Sequence, residues 1–403
     1  MAETIYSSTL GRSLEETVNM SNFRNDKSSS TISIRLMCAI VFVVFSFCWL
    51  YYFQADVLMM SQHVLSKGLT HYNPLVGAVL ITLLLGVIQY VVYGVIHLTK
   101  RFHALTYLPS MLILGMLSSV NPIGVDGIEV GFSWYTPILV IVCWWILTRM
   151  GRLAQEVEYD KAFALFSQPM WINMLIMAFL MICVAWIGNS NAVLHYRMKV
   201  ERCLLEGNID GALKVGKKSL ESDADLTMLR MYALARKGTM GESLFEYPVE
   251  ANSSQMLPTD SLSTLMMYPV DSLYRFLGAR PASRMTPMRY LELLERRDSV
   301  PNPAVADYQL CGYLIDRQLD KFASEIERYY TINDSLPRHY REALTLYTHL
   351  RAHPVVVYHQ TVMDVDYNNL RELEKKYPQQ SERKGKVEEQ YRNTYWYYYE
   401  YRK

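Results

Sequence analysis

The sequence lacks an excess of charge of either sign, because its 40 Lys and Arg residues are balanced by 39 Asp and Glu residues. A nucleic-acid-binding protein needs a basic field, so a formal net charge of +1 argues against nucleic acid as a partner. Six cysteines in 403 residues are too few for a disulfide scaffold. The phosphate loop, dinucleotide fingerprint and nucleophile elbow of common enzyme families are also missing from the sequence.

Charged residues are scarce in the first half of the chain. Residues 1–190 carry 20 charged side chains, whereas residues 191–403 carry 59. Such a division indicates that the two halves face different solvents, which excludes a single soluble globule and a disordered protein. We therefore predict an all-α protein in which a transmembrane domain over 33–190 precedes a water-soluble domain over 191–403.

Five charge-free runs in the first half can each supply the roughly 20 residues that a helix needs to cross a membrane. The predicted spans cover about 36–53, 75–98, 104–122, 132–148 and 170–189. The third run contains Pro109 and Gly115, so an alternative is four spans with a re-entrant third segment. Residues 1–32 are polar and rich in Ser and Thr, and we expect a disordered cytoplasmic tail there.

The positions of Lys and Arg in short loops predict the orientation of these spans. Within about 20 residues of a span, the tail and the loops after spans two and four contain eight such residues, and the alternate loops contain only Lys67. The eight are Arg24, Lys27, Arg35, Lys100, Arg101, Arg149, Arg152 and Lys161. This asymmetry predicts a cytoplasmic N-terminus, and an odd number of spans then places residues 191–403 outside the cytoplasm.

No span core contains a charged residue, which argues against a pump, and Gln89 and Asn173 are expected to join helices.

Residues 191–403 show helical periodicity with short breaks at Gly, Pro and Asp. The stretch Leu205–Leu213 resembles the centre of a tetratricopeptide repeat, in which a Gly-containing turn joins two antiparallel helices. Gly238 follows Gly207 by 31 residues, near the period of about 34 that such repeats have. The second helix of this hairpin is expected to close at Lys217–Leu220, and further helices are expected over 304–315, 319–330 and 337–350. The sequence departs from the repeat pattern at Tyr196, Val200, Gly216 and Ala224. We predict a solenoid of helical hairpins with a groove suited to protein segments.

The candidate sites for chemistry are few, and we assign no catalytic, cofactor-binding or metal-binding residue. His349 and His353 have a spacing that zinc ligands use on helices, but the Glu of a metalloprotease motif is absent, so exposed histidines are expected. His339 and His359 are further histidines that such a site could recruit. The segment 364–369 begins like a calcium loop, yet Asn369 and Lys375 occupy the places of the required Gly and Glu.

Three further features stay open at the level of sequence. Asp126 and Glu129, with His71, are the only groups that predicted external loops offer for acid–base chemistry, and a solvated turn is the expectation for them. Cys203 and Cys311 could form a disulfide in an oxidising compartment, but their spacing gives no pairing signal. A last helix is expected to bury Tyr391, Tyr395 and Tyr398 on one face, and to leave other aromatics for a partner or the membrane interface. These others are Trp396, Tyr397, Tyr399 and Tyr401.

Four segments spread over most of the chain carry a resemblance to a known family. They are His103–Ser110, Phe245–Pro248, Leu336–Leu344 and Tyr395–Tyr399. With them the chain resembles an uncharacterised family of bacterial multi-pass membrane proteins, of the Bacteroidales type, with a tetratricopeptide-like C-terminal half. The resemblance implies this architecture and a location in the bacterial inner membrane, and it transfers no catalytic residue.

Two functions are therefore expected from the sequence. The first is a membrane-anchored scaffold that presents its helical domain to protein partners in the cell envelope. The alternative is a membrane enzyme of envelope polymer or lipid assembly with a helical-repeat tail. Membrane lipid and envelope proteins are the expected partners, and no cofactor is expected.

Overall fold

The computed structural model describes residues 32–96, 98, 101–123, 127–155, 168–259, 263–297 and 302–402. The structure is 71% helical, which confirms the all-α class. The described residues form two compact units, and the division lies between Ser190 and Asn191. The expected cytoplasmic tail lies almost wholly outside the described residues, since only Ile32 of it is described, as the first residue of a helix.

The first unit contains six helices and a two-stranded hairpin among its described residues. The helices are α1 (Ile32–Phe53), α2 (Ala55–Leu65), α3 (Pro74–Ile96), α4 (Leu108–Ser118, preceded by a 3-10 turn His103–Tyr107), α5 (Tyr135–Gln155) and α6 (Gln168–Ile187). Strands β1 (Val120–Ile123) and β2 (Gly127–Val130) pair antiparallel. Of these helices α1, α3 and α6 are long and apolar enough to cross a membrane.

The expected third span, 104–122, is shorter than predicted. The apolar helical segment covers His103–Ser118, and residues 120–123 form β1 instead of a further helical turn. Pro122 explains this ending, because a proline disfavours the helical conformation of the residue before it. The structure also contains α2 in what was expected to be the loop between the first two spans. Its core side chains Val57 and Met60 are fully buried.

Neutral polar side chains join the helices of the first unit. The Gln89 side chain of α3 donates to Thr106 Oγ1 at 3.1 Å. Asn173 of α6 accepts a hydrogen bond from the Ala104 N–H at 2.7 Å. The prediction that Gln89 and Asn173 join helices is therefore confirmed. At the other end of α6, Asn189 donates to the Val120 carbonyl at 3.0 Å, and its N–H donates to the Ser118 carbonyl at 2.7 Å.

The second unit is a set of short helices with one continuous apolar core. Its α-helices are α7 (Ala192–Leu205), α8 (Ile209–Lys214), α9 (Ala224–Lys237), α10 (Met240–Ser243), α11 (Val270–Leu277), α12 (Pro287–Arg297), α13 (Pro303–Ile315), α14 (Leu319–Glu325), α15 (Arg338–Leu350), α16 (Thr361–Lys376), α17 (Gln380–Tyr391) and α18 (Tyr395–Tyr401). Single 3-10 turns cover Leu244–Glu246, Ser253–Gln255 and Ile326–Arg328.

The predicted helical hairpins are present, with differences in length. Gly207 has a φ of +71° between α7 and α8, a conformation that favours glycine. The Asn208 side chain caps α8 by accepting the Gly211 N–H at 2.8 Å. However, α8 ends at Lys214 and not near Leu220 as expected, because Gly216 adopts a φ of +59°. The expected helix 319–330 likewise ends early, at Glu325.

Candidate functional site

Large apolar side chains are exposed in one short part of the second unit. Among its described residues eight such side chains are exposed, and five of them lie within residues 350–365. We call these five the aliphatic patch: Leu350, Val355, Val357, Val362 and Val365. Val355 is 80% exposed and Val362 is 62% exposed. Apolar residues gathered in this way on a soluble surface are typical of interaction sites.

The patch is held on a defined backbone. Helix α15 ends at Leu350, shortly before Pro354, and the chain then runs without regular structure to α16. The Val355 N–H donates to the Tyr347 hydroxyl at 3.2 Å, and the Tyr358 N–H donates to Thr348 Oγ1 at 3.2 Å. These bonds fix the connecting segment against α15. Val362 and Val365 are three residues apart on α16 and therefore share one helical face.

A second feature is a cavity of about 660 Å³, which we call the basic cavity. Its walls are Lys214, the segment 216–219, Tyr196 of α7, Glu246, and the residues Arg392 and Asn393 that follow α17. Four of the lining side chains are cations and one is an anion. Lys217 lies 2.9 Å from Glu246, and the hydrogen bond that its ammonium donates to this carboxylate raises the pKa of the lysine.

A buried arginine lies behind the wall of the basic cavity. The Arg230 side chain of α9 is 1% exposed, and its Nη2 donates to the Gly216 carbonyl at 3.3 Å. The guanidinium also lies 5.1 Å from the centre of the Tyr247 ring. Among the described residues no carboxylate approaches Arg230 within 4.0 Å. Burial lowers the pKa of Arg230 to about 10, so the side chain is still a cation at neutral pH.

A smaller cavity of about 340 Å³ is lined by Glu342 and Trp396 among others. The Glu342 carboxylate is buried and accepts hydrogen bonds from His339 Nδ1 at 2.9 Å and from the Tyr395 N–H at 2.7 Å. Nε2 of His339 accepts the Phe245 N–H at 3.2 Å. Both ring nitrogens of His339 therefore have partners within the core, which indicates a structural role for the pair.

The two candidate zinc ligands do not share a helix. His349 is in the last turn of α15, whereas His353 lies three residues beyond its end and is exposed. The His349 ring stacks on Tyr367 with ring centres 4.8 Å apart. Among the described residues no group of three His, Cys, Asp or Glu is placed to hold a metal ion. The calcium-loop-like segment 364–369 is part of the continuous helix α16.

The other predicted groups are separated or buried. Glu129 is exposed on β2 and His71 is exposed before α3, while Asp126 lies outside the described residues. Cys203 and Cys311 are buried and are not bonded to each other. Burial raises the pKa of the Cys311 thiol.

The expectation for the terminal aromatics is wrong in its details. Tyr391 ends α17, and α18 is a separate helix that Thr394 caps by accepting the Tyr397 N–H at 3.2 Å. Tyr395, Trp396, Tyr397 and Tyr398 are all buried. The Trp396 indole N–H, for example, donates to the Glu342 carbonyl at 2.7 Å. A break at residues 392–394 reorients α18, so that these rings pack inside the unit.

The profile of a family of unknown function, DUF6057, matches residues 283–402. The match is consistent with the expected resemblance to an uncharacterised family over the C-terminal region. It includes the aliphatic patch and the two C-terminal residues of the basic cavity, Arg392 and Asn393. No curated protein and no solved structure matches the chain. The aliphatic patch has one signal in the sequence, the run Val355–Val357 after Pro354, but such a β-branched run is typical of a strand and does not indicate exposure.

Proposed function

We propose that the protein is a membrane-anchored interaction protein of the bacterial envelope. In this proposal the first unit crosses the inner membrane five times and the second unit binds a protein partner outside the cytoplasm. The aliphatic patch is the observation that carries the proposal, because it gathers within 16 residues five of the eight large apolar side chains that the described part of the second unit exposes, and water disfavours such exposure.

Five crossings are supported by the way α4 contacts α6. The 3-10 turn before α4 is bonded to Asn173, near the start of α6, and the end of α4 is bonded to Asn189, just past the end of α6. These two asparagines are 16 residues apart, or about 24 Å along a helix. A re-entrant segment would bring both of its ends to one side of the bundle. The apolar part of α5, Tyr135–Met150, is shorter than α1, α3 and α6, so the fourth crossing rests on the charge-free run over 132–148 in the sequence.

The orientation rests on the asymmetry of Lys and Arg in the short loops. Several of these residues, among them Lys100 and Lys161, lie outside the described residues, so the argument is one of sequence. A C-terminal alkaline phosphatase fusion should be active, and a cytoplasm-dependent fluorescent reporter at the same site should be dark. The reverse result would place the second unit in the cytoplasm and exclude envelope partners.

The second unit is proposed to be a tetratricopeptide-like array. The hairpins α7–α8 and α13–α14 support this, since each turns through a residue of positive φ, Gly207 and Arg317. The short α8 and α14 are departures from the repeat pattern. The rim of the aliphatic patch is polar, with His349, Arg351 and Asp364, and an apolar centre with a polar rim is typical of protein interfaces.

Site-specific photocrosslinking in intact cells tests the partner. A photoreactive amino acid at Val355 should give a discrete protein adduct, whereas the same amino acid at Leu205, an exposed leucine outside the patch, should give none. A second substitution, Val362→Asp, should abolish the Val355 adduct, because it places a charge in the apolar contact. Crosslinks to lipid only, or equal adducts at both positions, would contradict a protein partner.

A further inference from the structure

The basic cavity has a local excess of positive charge that the second unit as a whole does not have. Residues 191–403 contain 30 Lys and Arg against 29 Asp and Glu. The cavity is lined by Lys214, Lys217, Lys218 and Arg392, with Glu246 as the one carboxylate, for a net charge of +3. The carboxylate is paired with Lys217. Among the described residues Lys214 and Lys218 form no ion pair, so two ammonium groups are available to a ligand.

The cation behind the cavity wall strengthens this field. A buried guanidinium without a carboxylate partner is costly, because desolvation of its charge is not offset by an opposite charge. The Arg230 guanidinium donates to the Ser222 hydroxyl and the Gly216 carbonyl and lies beside the Tyr247 ring, while the carboxylate that acts on it, Asp223, forms no ion pair with it within 4.0 Å among the described residues. Its Nε makes no hydrogen bond to the described residues. An anion in the cavity would place further opposite charge near Arg230, because Gly216 both lines the cavity and accepts the hydrogen bond of Arg230 Nη2.

The size and lining of the cavity restrict the kind of anion. A volume of about 660 Å³ is within the range of small-molecule sites and exceeds what a single inorganic anion fills. Tyr196 gives an aromatic wall for a carbon skeleton. A net charge of +3 is matched better by a phosphate group, with a charge of about −1.5 to −2, than by one carboxylate. Arginine and lysine together are the usual phosphate-binding pair.

We propose that the basic cavity binds a phosphorylated organic anion, whose phosphate contacts Lys214, Lys218 and Arg392 and whose carbon skeleton packs on Tyr196. The phosphate can belong to a soluble metabolite or to a phospholipid headgroup, since the chemistry at the cavity is the same. This proposal is independent of the protein partner at the aliphatic patch.

Binding is measured by titration calorimetry on the full-length protein in a non-ionic detergent, with glycerol 1-phosphate and inorganic pyrophosphate as probes. Both should bind saturably, and more weakly as NaCl is raised. The double substitution Lys214→Ala and Lys218→Ala should weaken binding at least tenfold, and Arg392→Ala should weaken it similarly. The matched control is Lys375→Ala with Lys376→Ala, two exposed lysines in the last turn of α16, which should bind as the wild type does.

A variant that binds more tightly is also needed, because the loss of binding in the other variants could result from damage to the fold, whereas a gain of affinity could not. Among the described residues Glu246 is the one carboxylate of the cavity lining, so Glu246→Gln should tighten binding about threefold or more. Soluble dihexanoyl phosphatidylglycerol distinguishes the two sources of the phosphate. If this lipid competes with glycerol 1-phosphate for the cavity, the ligand is a lipid headgroup. If it does not compete, the ligand is a soluble phosphate. Dihexanoyl phosphatidylcholine is the zwitterionic control.

Three results would overturn the proposal: no saturable binding of either probe, unchanged binding in the Lys214/Lys218 variant, or tighter binding of an acidic octapeptide than of any phosphate. The last result would assign the cavity to an acidic protein segment. The crosslinks at Val355 should be unaffected by the Lys214/Lys218 variant, so that failure of this proposal and failure of the partner proposal are separate outcomes.

Discussion

Large apolar side chains lie mainly on the outside of the first unit and mainly on the inside of the second. Of the 43 that are exposed among the described residues, 35 lie before residue 191 and eight lie after it. Apolar side chains prefer an apolar environment to water, and this one preference explains both arrangements if hydrocarbon surrounds the first unit and water surrounds the second. The second unit keeps its large apolar side chains mainly inside, and the five residues of the aliphatic patch depart from this arrangement together. For that reason the aliphatic patch carries the proposed function.

The polar groups that the two units bury differ in the same way. In the first unit the buried bonds use neutral groups, such as the Asn173 amide and the Ser110 hydroxyl, which donates to the Leu85 carbonyl at 2.8 Å. The second unit buries full charges, such as Glu201 and Arg230. A charge within a membrane span is costly during insertion, whereas a folding soluble domain can pair it with several donors at once. Buried polar side chains thus position helices in both units, but they are neutral in the first unit and include charged groups in the second.

The largest expected difference between the units is in their solubility when separated. Residues 191–403 expressed alone should be soluble without detergent and should give a predominantly helical circular dichroism spectrum. Residues 1–190 should partition into the detergent phase of Triton X-114. A second unit that needs detergent, or a spectrum rich in sheet, would contradict the division and the helical-array proposal with it.

Loss of a buried carboxylate should strongly destabilise the second unit. Glu201 accepts the N–H groups of Met266, Met267 and Tyr268 at 2.5–3.1 Å. Glu201→Ala leaves these donors buried without an acceptor, so the free energy of unfolding should fall by about 3–5 kcal/mol. Urea unfolding of residues 191–403 measures this. Glu206→Ala removes an exposed carboxylate one turn later and should cost at most about 0.5 kcal/mol. Equal losses would mean that the Glu201 bonds contribute little.

In the first unit the corresponding experiment removes a neutral polar bond. Asn173→Leu leaves the buried Ala104 N–H without its acceptor, and it should lower the stability of the full-length protein in detergent by about 1–2 kcal/mol. Thermal unfolding in a fixed detergent measures this. Leu175→Ala changes an exposed residue two positions along α6 and is the control, with a smaller expected loss. A loss no larger than that of the control would indicate that α6 does not depend on this contact.

The sequence was sufficient to predict helices wherever a long charge-free run or a clear helical period existed. It missed α2, because Asp56, His63 and Lys67 in and beside this segment resemble a loop, while the contacts that bury Val57 and Met60 are distant in sequence. It also overextended the helices that end at Lys214 and Glu325. At the first of these, Gly216 changes the backbone direction, a conformation that depends on tertiary context.

The candidate sites were harder to predict from the sequence than the helices were. The lysines of the basic cavity precede Arg392 by more than 170 residues, and Arg230 lies behind the cavity wall on another helix. No local pattern connects these positions. The histidine pair had a local pattern, and the pattern failed because the position of the end of α15 depends on Leu350 and Pro354.

A pH dependence should be found at Asp307 in the core of the second unit. Its Oδ1 accepts hydrogen bonds from Tyr330 at 2.6 Å and Tyr340 at 2.9 Å, and burial raises the pKa of this carboxyl. A raised pKa in the folded state favours folding at pH values below the unfolded pKa of about 3.9, and this contribution is lost as pH rises through the folded pKa. The stability of the wild type relative to Asp307→Asn should therefore decline between pH 4 and pH 7 in urea unfolding. A constant difference over that range would contradict the argument.

The smallest expected effect belongs to His353. This residue is exposed in the segment after α15, so His353→Ala should change the free energy of unfolding by no more than about 0.5 kcal/mol. His339→Ala is the comparison within the same unit, and it should cost about 1–3 kcal/mol because both ring nitrogens of His339 are bonded in the core. Zinc should leave the melting temperature of the wild type unchanged relative to EDTA. A zinc-dependent rise that disappears in His353→Ala would instead require His349 and His353 to come together in solution, which means that α15 would extend by a further turn when the metal binds.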